Sequence, residues 1–375
     1  MTRSFRVGRI LGLDIEIDYT WFIVFLIVVV WLSFDRSTLH LPGAPAPVRW
    51  LIGFLTAVLF FVSVLFHEIS HSVVALRNGL KISGITLFIF GGVSKMTDEP
   101  RTAGVEFRMA IAGPLMSLVL CGVFLGLRFV LGSAGPVGAV LATMFGWLGL
   151  MNGALAVFNL LPGYPLDGGR VLRAGIWGAT GNLLDATRIA SSFGQGLGFL
   201  LIILGVTRFM FGRDLGGIWI ALIGWFLVQA AQQSYQQLVL RQQLLGVPVA
   251  SVMTDQVEWV SADATLDQVV HDHVMRHNHP AFPVLDGGRL LGLISLGDIR
   301  PVPRERWPWV TAREAVPALT EAHTIHPDVG VWDALIKMTS GNLGRLLVTD
   351  SNGLRGIITR TDIMRLLRRR MELGV

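Results

Sequence analysis

Residues 65–74 read LFHEISHSVV, and three of these side chains can do chemistry together. On a helix, residues four apart share a face. His67 and His71 would therefore present their imidazoles to one ion, and Glu68, beside the first, would reach water held there. His-Glu-x-x-His on a helix is the pattern of zinc-dependent hydrolases. Zinc lowers the pKa of bound water from about 16 to about 7, which makes hydroxide available at neutral pH. A catalytic zinc also needs a third protein ligand and an open position. Asp167 is the candidate, the only acid between Glu106 and Asp185. Pro162 and Pro165 break the preceding helix, Gly168 and Gly169 permit a tight turn, and the carboxylate is expected on an irregular segment. The structural alternative makes Asp167 a turn former at a helix start.

These groups sit in an unusually apolar chain. Of its 375 residues 52% are hydrophobic and 15% charged, against about 25% charged in soluble proteins. Polar groups in hydrocarbon are expensive and mark function. The charge is uneven: residues 1–240 hold long uncharged runs, and residues 241–375 have the composition of a soluble module. The single cysteine, Cys121, excludes an intrachain disulfide framework and a four-cysteine zinc site. The net charge of +5 needs no nucleic-acid partner, because basic residues flanking membrane spans give the same balance. Asp14, Glu16 and Asp18 precede the first apolar run and no small-residue cleavage site follows it. That run therefore reads as a retained span, not a signal peptide.

Uncharged runs cover residues 19–34, 50–66, 109–127, 129–166, 189–207 and 215–240, which gives six expected spans. With the N-terminus inside, the inner segments before the tail carry Arg3, Arg6, Arg9, Arg77, Lys81, Lys95, Arg101, Arg108, Arg170, Arg173 and Arg188. The outer segments carry Arg36, Arg49, Arg128, Arg208 and Arg213. The 11 against 5 follows the positive-inside rule and puts both termini in the cytoplasm. The second and fourth spans then both run inward, bringing His67, Glu68 and His71 to the same membrane side as Asp167.

Residues 81–96, KISGITLFIFGGVSKM, are rich in β-formers and read as a hairpin or re-entrant strand pair on the inner side. Peptide hydrolysis needs an extended substrate, because a helix hides its carbonyls in hydrogen bonds. A free strand edge at residues 90–93, with Gly91 and Gly92, would hold one by β-augmentation. A membrane-surface hairpin is the structural alternative. Proline at Gly92 would remove no side chain yet block pairing.

The tail contains a repeat: GLISLGDI at 292–299 matches GIITRTDI at 356–363, an offset of 64. Each unit reads turn, helix, strand, turn, strand, helix. Asp298 and Asp362 suit caps of the following helices. In HDHVMRHNH, residues 271–279, His273 and His277 share a helical face with Asp272 nearby; a solvated face is expected rather than a second metal site. RLLRRR, residues 365–370, reads as a basic helix end near the inner membrane surface.

Taken together, HEISH (67–71), NLLPGYPLDGGR (159–170), AGPLMS (112–117) and GGV (91–93) resemble the site-2 proteases, intramembrane zinc metalloproteases, over roughly residues 9–240. The resemblance implies that His67, His71 and Asp167 bind one Zn2+ and that Glu68 activates water and passes its proton to the leaving amine. It implies that an asparagine of the fourth span, Asn159 or Asn152, orients substrate or stabilises the oxyanion; either amide would also serve to cap or bond a helix. Ser117 departs from the asparagine many relatives carry there, which weakens any role for the third span. The tail resembles a tandem pair of CBS domains. That resemblance implies adenine-nucleotide contacts at Ser295 and Asp298 in one repeat and at Thr359 and Asp362 in the other, and a homodimer through the CBS domains.

The expected fold is a multi-pass α-helical membrane protein of about six spans with a cytoplasmic α/β tandem CBS module. Residues 1–240 form the protease domain, 247–305 the first CBS domain and 306–375 the second. The expected activity is cleavage, within the bilayer, of membrane-bound regulators such as an anti-sigma factor, as relatives do after a first extracytoplasmic cut. No PDZ-like insertion lies between the spans, so control is expected from the tail. The rival class is a CBS-regulated cation transporter or channel using the same His/Glu/Asp cluster, which would need no general base beside an open zinc position. A pseudo-protease would have lost a ligand or the base, and this chain has both.

Overall fold

The computed structural model describes residues 4–34, 45–96, 99–212, 214–277 and 279–373. Arg3, Arg36, Arg213 and Asn278 lie outside the described residues. The chain divides into two compact units, residues 1–236 and 237–375.

The first unit begins with β1 (Ser4–Ile10) and β2 (Leu13–Asp18), followed by α1 (Tyr19–Phe34) and α2 (Ala46–Arg77). Next come β3 (Ile82–Phe88), β4 (Gly91–Met96), α3 (Ala103–Leu131) and α4 (Gly135–Asn159). It closes with α5 (Asp167–Thr180), α6 (Leu183–Gly212) and α7 (Gly216–Leu244), the division between the units falling inside α7. Among the described residues, α2, α3, α4 and α6 are long and apolar enough to cross a membrane. The other two expected spans fall short of that measure. α1 has only 16 residues, and α7 carries Gln229, Gln232 and Gln233 in its middle. Val29 and Leu32 of α1, Ala57 of α2, and Met144, Trp147 and Leu148 of α4 form a buried core. Outward residues such as Phe129, Ile203 and Phe211 are exposed, as a lipid-facing surface requires.

The expected strand pair forms β3 and β4, but it is half of a larger sheet in the order β1-β2-β3-β4. β2 pairs parallel to β3, from Asp14 opposite Gly84 to Ile17 opposite Leu87. β1 and β2 escaped the sequence reading because their alternation carries arginines and acids beside a long apolar run. β4 is an edge strand. Glu16 of β2 accepts a hydrogen bond from Lys95 Nζ of β4 at 2.6 Å, tying the edge back across β3. The bonds from Lys95 and Ser4 hold the Glu16 carboxyl below the ordinary range.

The second unit holds two similar halves. In the first, β5 (Val260–Ser261) leads to α8 (Leu266–Gln268), a π-helix over Val269–Val274, β6 (Ala281–Asp286), β7 (Arg289–Ser295), α9 (Leu296–Ile299) and α10 (Ala312–Ala315). In the second, β8 (Thr324–Ile325) leads to α11 (Val331–Ser340), β9 (Arg345–Asp350), β10 (Gly353–Thr359) and α12 (Arg360–Leu373). Each half adds a short parallel strand, β5 or β8, that the repeat pattern did not reveal. Such a strand has only two residues, too few to show a periodicity.

Candidate active site

α2 is a 32-residue apolar helix with proline in its first turn, where a missing N–H costs nothing. The four-residue spacing puts His67 and His71 on one buried face, with their Nε2 atoms 3.1 Å apart. Asp167 comes from elsewhere: its Oδ2 lies 3.1 Å from His67 Nε2 and 3.2 Å from His71 Nε2. Among the described residues these are the one set of three His, Cys, Asp or Glu side chains able to hold a metal ion together. The near-equilateral triangle fits one face of tetrahedral zinc, whose bonds of about 2.0–2.1 Å set neighbouring ligands roughly 3.3 Å apart.

Asp167 is not on an irregular segment. It is the first residue of α5, where a carboxylate also complements the helix dipole. Gly168 and Gly169 belong to the same helix, so they serve no tight turn. A Cβ at Gly168 would fall 2.2 Å from the Leu160 carbonyl oxygen, and one at Gly169 would fall 2.2 Å from Tyr164 N. Both glycines let α5 pack against the loop that precedes it. That loop is anchored to α6 by the Tyr164 N–H, which donates to the Ala190 carbonyl at 3.0 Å.

The imidazoles are oriented from α3. His71 Nδ1 lies 2.7 Å from the Met109 carbonyl oxygen. A carbonyl only accepts, so Nδ1 carries the hydrogen and Nε2 offers its lone pair to the cluster. His67 Nδ1 has Ser117 Oγ at 2.9 Å. Between them, Gly113 leaves room for both rings: a Cβ there would stand 2.1 Å from His71 Nε2 and 2.5 Å from His67 Nε2. The third helix thus has a direct part in the site, contrary to the doubt its serine raised. Met109, Gly113 and Ser117 fall at helical spacing on one face, a signal present in the sequence, with Gly113 and Ser117 inside AGPLMS itself.

Glu68 lines a cavity of about 510 Å3 together with both histidines, Asp167, Asn159 and Arg170. Gly91 and Gly92 line it as well. Asn152 does not: it is buried further along α4, where its Nδ2 donates to the Leu148 carbonyl at 2.8 Å. A side chain at Gly92 would force Glu68 to move, because its Cβ would lie 2.4 Å from Glu68 Cγ. Proline there would therefore collide with Glu68 as well as block pairing, and it does not isolate the edge. Phe90 stacks on Phe226 of α7 with ring centroids 4.2 Å apart, closing one side of the cavity.

In the second unit the residues expected at nucleotides bond to each other. The Ser295 hydroxyl donates to Asp298 Oδ2 at 2.5 Å, and the Ser295 N–H donates to the same oxygen at 2.8 Å. Thr359 and Asp362 repeat this at 2.7 and 3.0 Å. Both pairs act as capping boxes. His273 and His277 stack with ring centroids 6.4 Å apart and, among the described residues, join no metal-holding set.

Known proteins resemble the chain along almost all of its length. The profile of peptidase family M50 matches residues 55–134 and 132–203. Rip3 of Mycobacterium tuberculosis, which carries a zinc-metalloprotease name, is 34% identical over 98% of this chain and 93% of its own. A zinc metalloprotease of Methanocaldococcus jannaschii is 30% identical over 97% and 96%. The chain belongs to peptidase family M50, the site-2 proteases. A solved site-2 protease from M. jannaschii is 32% identical, with a TM-score of 0.44 over 61% of this chain and 94% of that one. The CBS profile matches residues 249–304 and 314–369. This site-2 protease is therefore a membrane metalloendopeptidase whose family uses zinc, joined to a tandem CBS module.

Proposed function

We propose that the protein cuts transmembrane segments of membrane-bound regulatory proteins, with His67, His71 and Asp167 holding one zinc ion and Glu68 as the general base. The observation that carries this reading is the convergence of the three donors beside Glu68 and an edge strand within one cavity. Zinc, when bound, supplies Lewis-acid polarisation of water and of the scissile carbonyl. Glu68 would take a proton from the attacking water at its carboxylate and deliver it to the leaving nitrogen, so that the amine departs neutral. The unpaired edge of β4 would hold the unwound substrate strand by backbone hydrogen bonds. Asn159, lining the cavity, would donate its amide N–H to the developing oxyanion. Phe90, Trp219 and Phe226 would keep bulk water from the cleft. A cation carrier built on the same cluster would have no use for a strand edge beside it.

The finer organisation belongs to the same proposal. Residues 1–240 would form the protease domain, crossing the membrane six times with both termini in the cytoplasm. Residues 247–305 and 306–375 would form the two CBS domains, adjusting activity and pairing with a second copy. An adenine nucleotide would have to open the Ser295–Asp298 and Thr359–Asp362 bonds to use those groups, which makes calorimetric titration of the full chain a direct check. Absence of heat with any adenine nucleotide removes that ligand class.

The central test compares wild type and Glu68→Gln on a reporter transmembrane substrate, with zinc content measured on the same samples. Loss of cleavage by about 10²–10⁴-fold with zinc retained supports the mechanism. Cleavage that survives the substitution rules it out.

A further inference from the structure

Glu106 is the only acid on α3, and it is completely buried. Its Oε1 accepts from Arg173 Nε of α5 at 2.7 Å and also from Arg173 Nη2. Arg170 Nε lies 3.9 Å from the same oxygen. The Arg173 guanidinium covers the Tyr164 ring at 5.0 Å, just before α5. A buried ion pair is poor evidence of stabilisation, because desolvation offsets attraction and an apolar pair of similar volume often does as well. In a chain with so few charges, its geometry is the more informative property.

That geometry joins the two elements that build the site. On α3, Glu106, Met109, Gly113 and Ser117 follow one another at helical spacing along one face. The last three touch His71, both imidazoles and His67 in turn. On α5, Asp167 opens the helix, and Arg170 and Arg173 follow at the third and sixth positions after it. The bonds that Arg173 donates to Glu106 restrain both the rotation of α5 about its axis and its position along α3.

We propose that Glu106 and Arg173 are positioning residues whose bond holds Asp167 at metal-binding distance from His67 and His71. The proposal rests on the reading that these three residues bind zinc. It goes beyond that reading by making metal affinity depend on a pair that touches no metal.

The test uses the purified full chain and a double variant, Glu106→Leu with Arg173→Met, which removes both charges of the pair together and leaves Arg170 to the cavity it lines. Thermal unfolding is expected near that of wild type. The zinc dissociation constant, read by competition with a chromophoric chelator, is expected to rise about 10–100-fold, the range for groups that orient metal ligands. The cobalt(II)-substituted protein is expected to show a changed d–d spectrum. Wild-type zinc affinity together with a wild-type cobalt spectrum overturns the proposal. Should the double variant not fold, Arg173→Lys decides, since it keeps the charge but loses the two-point bond; unchanged affinity there likewise overturns it. Asp167→Ala separates the two levels. If that variant binds zinc as wild type does, the ligand reading fails; if it loses zinc while the pair variants do not, only the positioning role fails.

Discussion

Gly92 of the edge strand and Glu68 of α2 share one volume: a Cβ on Gly92 would stand 2.4 Å from Glu68 Cγ and 2.8 Å from Cδ. A hydrogen bond between the Ser72 and Ser94 hydroxyls, 3.0 Å apart, clips the same strand to the same helix. The strand proposed to hold the substrate is thus set directly against the proposed base. Gly92→Ala is expected to displace the Glu68 carboxylate and lower kcat about 10²-fold, the cost of a misplacement of about 1 Å. Zinc content should stay at the wild-type level, because Gly92 touches no ligand. Cleavage of the reporter substrate and zinc stoichiometry check it; wild-type kcat in the alanine variant would refute the contact's importance.

Much of this site was legible because its chemistry is local. The spacing of His67 and His71 implies a shared helical face, and Asp167 stands alone as an acid in a long stretch of sequence. The helix that Asp167 opens was legible only as the alternative to a ligand on an irregular segment, and the structure joins the two readings. Gly168 and Gly169 read as turn residues, and only the packed loop at Leu160 and Tyr164 explains them as close-approach positions. β1 and β2 form an adjacent antiparallel pair whose alternation is masked by arginines and acids, and the parallel partner of β2, β3, lies across two apolar helices in sequence. The role of Gly113 was only half legible: its helical spacing with Met109 and Ser117 marks a shared face, but that face does not say that two imidazoles from α2 occupy the space of its absent side chain. Ser295 and Asp298 were legible as a pair, but sequence alone left open whether they face a ligand or each other.

Gly113 yields the second prediction. Alanine is in general the better helix former by about 1 kcal/mol, which offsets the crowding its Cβ meets from Pro114, so Gly113→Ala should leave α3 folded. The added carbon has no room beside His71 Nε2 and His67 Nε2. The rings must turn away, and the lone pairs that face one another would separate. Zinc affinity is expected to fall by at least 10²-fold, with activity returning only partly at high zinc. Equilibrium dialysis with zinc, paired with circular dichroism, checks this. A folded variant with wild-type zinc affinity would show that the rings have slack the packing does not reveal.

Ser117 supplies a milder case. Its hydroxyl is the hydrogen-bond partner of His67 Nδ1. Removing it leaves a buried ring nitrogen unpaired, a cost of about 1–3 kcal/mol. Ser117→Ala should weaken zinc binding about 10–100-fold while kcat at saturating zinc stays near wild type. A chelator titration followed by zinc add-back separates affinity from turnover. Equal loss of kcat at every zinc concentration would assign Ser117 a role in the chemical step instead.

The two asparagines of α4 can be told apart by where they sit. Asn159 lines the cavity with Glu68 and Asp167. Asn152 is completely buried, and its Oδ1 accepts no hydrogen bond among the described residues. An oxyanion donor contributes about 10²–10³-fold to kcat, and that contribution requires access to the reacting carbonyl. Asn159→Ala is therefore expected to lower kcat in that range with KM and zinc content little changed. Asn152→Ala should keep kcat within a few fold of wild type, because among the described residues the amide it removes bonds within its own helix. Kinetics of both variants on one reporter substrate decide the assignment: a large kcat loss in Asn152→Ala with Asn159→Ala near wild type would reverse it.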